Sequence, residues 1–92
     1  MEAIVSVIGK DKKGIIARVS TILYKRNINI MDISQTILKE YFTMIMITDL
    51  SEMTVSFSEL AEELDNLGAE IGVSIRIQHQ DIFDAMHNID KE

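Results

Sequence analysis

Hydrophobic residues along this chain switch between two periods, and the switches mark the elements. Residues 2–9 (EAIVSVIG) are a run of Ile and Val ending at Gly9, the pattern of a buried strand. Residues 9–14 (GKDKKG) form a polar loop bounded by glycines. From Gly14 the period lengthens. Ile15, Ile16, Val19, Ile22 and Leu23 share one helical face, with Lys12, Lys13, Arg18 and Lys25 away from it. This helix is expected to end near Arg26 and Asn27, where basic residues suit the negative end of its dipole. Residues 28–38 predict a second strand whose apolar parity slips. Ile28 and Ile30 are in phase, whereas Ile33, Gln35 and Ile37 take the opposite parity, which places a bulge near Met31 and Asp32. After a turn at Lys39, Glu40 and Tyr41, residues 42–48 (FTMIMIT) predict a third strand. So short a connection makes the second and third strands an antiparallel hairpin.

The second half repeats the alternation. Ser56 and Glu59 have the spacing of a capping box, with Val55 placed to staple against Leu60. Phe57, Leu60, Ala61, Leu64, Leu67 and Ile71 then fall on one helical stripe, and Gly68 and Gly72 are expected to loosen its end. Residues 73–79 alternate, with Val73, Ile75, Ile77 and His79 inward and Ser74, Arg76 and Gln78 outward, as in an edge strand with one wet face. Asp81 is placed to cap a short last helix carrying Ile82, Phe83, Met86 and Ile89.

The order β-α-β-β-α-β leaves few right-handed ways to close. It predicts an α+β fold in one domain spanning 1–92: a ferredoxin-like sandwich, a four-stranded antiparallel sheet with two helices on one face, plus a short C-terminal helix. The other sheet face has no cover within one chain and is partly apolar. Such a patch implies a partner, most economically a second copy.

Composition narrows the function. The chain has 92 residues, 47% of them hydrophobic, enough for one core. Its formal charge of -6 counts against a nucleic-acid surface. The absence of cysteine excludes disulfides and cysteine-held metals, including a copper-carrier Cys pair. No apolar run approaches a membrane span of about 18 residues. The opening MEAIVSVIGK, with Glu2, lacks a secretory pattern, so a cytoplasmic location is expected. The first strand has no aromatic residue on which a base could stack. GKDKKG is followed by Ile15 and Ile16 rather than the lysine and hydroxyl of a phosphate loop. His79 and His87 fall on different elements with no third ligand in register, and no nucleophile stands beside a base. Neither catalysis, a metal nor a cofactor is expected. Met31, Met44 and Met46 suit core or interface packing.

The loop into the first helix has the stronger chemical case. The first N–H groups of that helix, at Gly14, Ile15 and Ile16, have no intrahelical acceptor and can take a small carboxylate. Asp11 could instead cap them locally. Asn29, near the start of the second strand, can both donate and accept, or serve simply as a polar strand start.

The run GKDKKGIIARVSTIL from Gly9 to Leu23, followed by NINIMDIS at 27–34, resembles the ACT domain, an amino-acid-sensing regulatory module. SQTIL (34–38), EYFTMIMI (40–47) and IFDAMHNI (82–89) are similar to a group of small stand-alone ACT-domain proteins. The resemblance extends to the ACT modules of the glycine cleavage repressor and formyltetrahydrofolate deformylase. It implies a homodimer with the ligand, a small amino acid or related metabolite, between two domains. It assigns the contacts to Asp11, Gly14, Ile15 and Ile16 and, from strand two, Asn29 and Ile30. Lys13 stands where many ACT loops have proline, which implies a less rigid loop and a cation favouring an acidic ligand. The expectation is a non-catalytic regulatory module that dimerises and binds an amino acid at the interface. The alternative is a ligand-free structural dimer that docks on an unknown protein partner. Neither reading involves nucleic acid or a membrane.

Overall fold

The computed structural model describes residues 1–87, and its elements follow the predicted order. Strand β1 is Glu2–Lys10, helix α1 Ile15–Lys25, strand β2 Asn29–Leu38 and strand β3 Tyr41–Asp49. Helix α2 is Phe57–Ile71, strand β4 Val73–His79 and helix α3 Gln80–His87. The four strands pair antiparallel in the order β2-β3-β1-β4, so β2 and β4 are the edges. Ile89 of the expected tail helix lies outside the described residues.

Alternation along β1 sorts the two faces. Ala3, Val5 and Val7 are fully buried, packed with Met44 and Met46 of β3 and Val73 and Ile75 of β4. Ile15, Val19 and Leu23 of α1 and Leu60, Leu64 and Leu67 of α2 close this core from above. Thr48 is the buried polar residue among them, and its Oγ1 donates to the Ala3 carbonyl at 2.8 Å. The parity slip in β2 is a bulge: Ile30 pairs with Thr48 and Asp32 with Ile47, leaving Met31 as the extra residue.

Several local expectations change in the tertiary structure. Asp11 does not cap α1. Gly14 is the N-cap, in the left-handed region at φ 85, with no side-chain cap bond. Ile16 does not join the core, being 38% exposed. Gly68 does not loosen α2, which runs to Ile71 and ends at left-handed Gly72. A Cβ on Gly68 would stand 2.6 Å from the Val73 carbonyl oxygen, so glycine there lets α2 approach β4. Asp81 lies in the first turn of α3 rather than before it, because α3 starts at Gln80 with no loop after β4. The open face is not wholly bare. Gln78 faces away from α1 and α2, and its Nε2 donates to Met86 Sδ of α3 at 3.4 Å. Ile4, paired with Gln78, is only 4% exposed, so α3 lies over that end of the face.

Candidate functional site

Helices α1 and α2 cover β4, β1 and β3, but of β2 only the start is covered, where Ile30 packs against the core. Ile33 and Ile37 point to the helix side, opposite Met46 and Phe42, yet Ile37 is 51% exposed and Ile33 nearly as much. Between this bare flank and the start of α1 lies a cavity of about 450 Å³. Asp11, Lys12, Gly14, Ile15, Ile16 and Ala17 line it, joined by Gln35, Ile37 and Phe42. Asp11 N–H donates to the Glu40 carbonyl at 2.7 Å, which ties the loop to the β2–β3 turn beside it. The first helical bond of α1 runs from Arg18 N–H to the Gly14 carbonyl at 2.9 Å. The N–H groups of Ile15, Ile16 and Ala17 therefore have no acceptor within the helix.

Asn29 and Ile30 lie elsewhere. They line a second cavity, at the far end of α1, with Ser20, Thr21, Tyr24 and Ile28. Asn29 also borders a polar hollow with Asn27, Asp49, Ser51 and Glu52. The eleven residues of α1 separate the two ends by about 16 Å. A single chain thus gathers Asp11, Gly14, Ile15 and Ile16 in one place and holds Asn29 and Ile30 in another.

Lys10, Lys12, Lys13 and Lys39 cluster at the loop end with Asp11 and Glu40, while Asp49 and Glu52 share the other end with Lys25 and Arg26. Hydrogen bonds from the Ser51 hydroxyl and N–H to Asp49 Oδ1 hold that carboxyl below its ordinary range. Lys12 reaches across to the end of α2, its Nζ 2.8 Å from where a Cβ on Gly72 would be. The amine sits at the negative end of that helix. Lys12, Ala17, Gln35, Ile37 and Phe42 stand in the wall beyond the residues the resemblance assigns. Gln35 gave a signal, as a polar residue on an otherwise apolar parity of β2. Among the described residues, no group of His, Asp and Glu is placed to hold a metal, and no helix is long and apolar enough to cross a membrane.

Comparison with known proteins shows what the chain as a whole is similar to. The family model described as ACT domain matches residues 3–69. A UPF0237 protein of Clostridium acetobutylicum is 60% identical over 97% of this chain and 100% of its own length. The solved structure of an ACT domain protein from Streptococcus pneumoniae superposes with a TM-score of 0.78 at 44% identity, covering 91% of this chain and 94% of that one. Formyltetrahydrofolate deformylase from Burkholderia mallei shares the fold, with a TM-score of 0.76 at 10% identity over 85% of this chain and 28% of its own.

Proposed function

The chain belongs to the ACT-domain family of non-catalytic regulatory modules, and from that premise we propose that two copies pair along β2 and hold an amino acid between them. One observation carries the reading: β2 is an edge strand whose two ends border the two halves of the candidate site. A two-fold axis through Ile33 and Ser34 sets β2 antiparallel to its copy. Asn29 and Ile30 of the partner subunit then stand beside Ile37 and Leu38, at the mouth of the Asp11 cavity. The same operation covers Ile33 and Ile37.

In this arrangement the ligand carboxylate accepts from the N–H groups of Ile15 and Ile16. Asp11 holds the ammonium, and Asn29 bridges from across the interface. The side chain meets Ile16, Ile37 and Phe42, a wall that suits an apolar amino acid. Lys13 is exposed and is not part of that wall, whereas Lys12 lines it and supplies a cation there. Charge-assisted hydrogen bonds contribute roughly 1.5–3 kcal/mol each. After ordering costs, a few of them give about micromolar to millimolar affinity. Binding regulates a target by favouring one geometry of the pair over another.

A thermal-shift screen over the amino acids at millimolar concentration tests the reading. The expected result is that a few apolar amino acids raise Tm by several degrees and that the protein sediments as a dimer. A flat screen on a dimer would leave the ligand-free scaffold, and a monomer at high concentration would remove the site as well.

A further inference from the structure

We infer that the lysine-rich loop end of the sheet is a docking surface for a short acidic segment of a target protein. Docking there is independent of the amino-acid reading, because these side chains are charged and exposed whether or not the cavity is filled.

Lys10 ends β1, Lys12 and Lys13 follow in the loop, and Lys39 stands in the β2–β3 turn. Two backbone links gather them. Lys10 pairs with Tyr41 across β1 and β3, and Asp11 N–H donates to the Glu40 carbonyl at 2.7 Å, so loop and turn lie side by side. Four of the chain's nine lysines and arginines thus share one end with only Asp11 and Glu40, although the whole chain carries -6. All four lysines are exposed. Little within the chain neutralises them. Lys10 lies 3.9 Å from Glu40, with both side chains nearly two-thirds exposed. Among the described residues, Lys12, Lys13 and Lys39 make no ion pair, while Glu63 and Glu70 are taken by Arg26 and Arg18. Lys12 has the partial charge of the α2 end beside Gly72. Lys39 sits at φ 59, a left-handed conformation that glycine adopts more easily. Glycine there would ease the turn but remove the charge.

The size of the patch sets the size of its partner. The lysines run from the β2–β3 turn to Lys12 Nζ beside Gly72, where β4 begins. In the order β2-β3-β1-β4 this is about three strand spacings, roughly 14 Å. An extended segment covers that span with about four or five residues. Its carboxylates meet the lysines without reaching the acidic remainder of the chain. A nucleic acid fits worse. Duplex DNA carries a charge about every 1.7 Å along its whole length. A polyanion longer than the patch therefore runs over the surface that makes the chain -6 overall. Attraction of this kind chiefly speeds the encounter with a target and fixes its orientation.

An NMR titration of the full chain with a capped pentaglutamate peptide at low salt tests the docking. The amide signals of residues 10–13 and 39–40 should shift, and raising the salt to about 300 mM should weaken binding roughly tenfold. Lys13→Glu with Lys39→Glu should weaken it by roughly tenfold or more, since two attractions become repulsions. Both lysines are exposed and unpaired, so the variant keeps the fold, which its amide spectrum verifies. Lys25→Glu with Arg76→Glu changes the net charge equally at exposed positions elsewhere and should leave binding within about twofold. No shift at the loop and turn, or equal losses in the two double variants, would overturn the inference. Tighter binding of a long oligothymidylate than of the peptide would overturn it in favour of nucleic acid.

Discussion

Ser56 shows how much one side chain can fix. Its hydroxyl accepts from Glu59 N–H at 3.1 Å, while the Glu59 carboxylate accepts from Ser56 N–H at 2.9 Å. Two donors that α2 would otherwise leave open are satisfied reciprocally. The same bonds hold the Glu59 carboxyl below its ordinary range. Ser56→Ala removes the cap and should cost about 1 kcal/mol, which for a domain this small lowers Tm by roughly 4–8 °C. Calorimetry checks it, and an unchanged Tm would mean that the cap is redundant with the packing of Val55 and Leu60. Gly14 works by geometry instead. At φ 85 it turns the chain into α1 where a β-branched residue would be strained. Gly14→Val would therefore disturb the helix start as well as any ligand, and it cannot report on binding alone.

Among the elements, β2 is the edge strand that exposes isoleucines on the helix side. Its bulge at Met31 moves Ile33 and Ile37 to the helix side, but α1 stops short of covering them. An edge with exposed isoleucines invites association. Ile37→Lys places a charge on that flank without touching the fully buried core. It should leave Tm within a few degrees of wild type at low concentration and shift sedimentation from dimer toward monomer. A dimer that forms equally well would show that β2 is not the joint. Helix α2 is held differently. Besides its core stripe, Glu63 receives two bonds from Arg26, at 2.9 and 3.0 Å, that link α2 to the end of α1. Those bonds raise the Arg26 pKa further above its ordinary value.

At the scale of the molecule, the charge is both excessive and unevenly placed. A net charge of -6 coexists with a lysine-rich end, so two copies repel overall while that end stays locally basic. The acid limb of stability follows from the carboxylates. Asp49 and Glu59 both titrate lower in the folded chain than their ordinary 3.8 and 4.5. Their stabilisation is therefore complete above those values and is lost as pH falls through the lowered ones. Wild type should accordingly be more stable than Ser51→Ala at neutral pH, by an amount that shrinks below about pH 4 as Asp49 takes up its proton. Urea midpoints across pH 2.5–7 would measure this, and a constant difference would mean that the Ser51 hydroxyl does not favour the Asp49 carboxylate.

The linear pattern determined the elements, because period, caps and turns are local. It placed β1, α1, the β2–β3 hairpin and α2, and the parity slip at Met31 was readable as a bulge without coordinates. It also identified Asp11, Gly14, Ile15 and Ile16 as one group, since they are adjacent in the chain. What it did not determine was which elements cover which. Only packing decided that most of β2 stays uncovered by the helices, that Ile16 faces a cavity and that Gly68 admits a strand. Packing also brought α3 back over Ile4 and set Asn29 and Ile30 a helix length from Asp11. Burial and distance depend on contacts between segments far apart in sequence, and no local period encodes them.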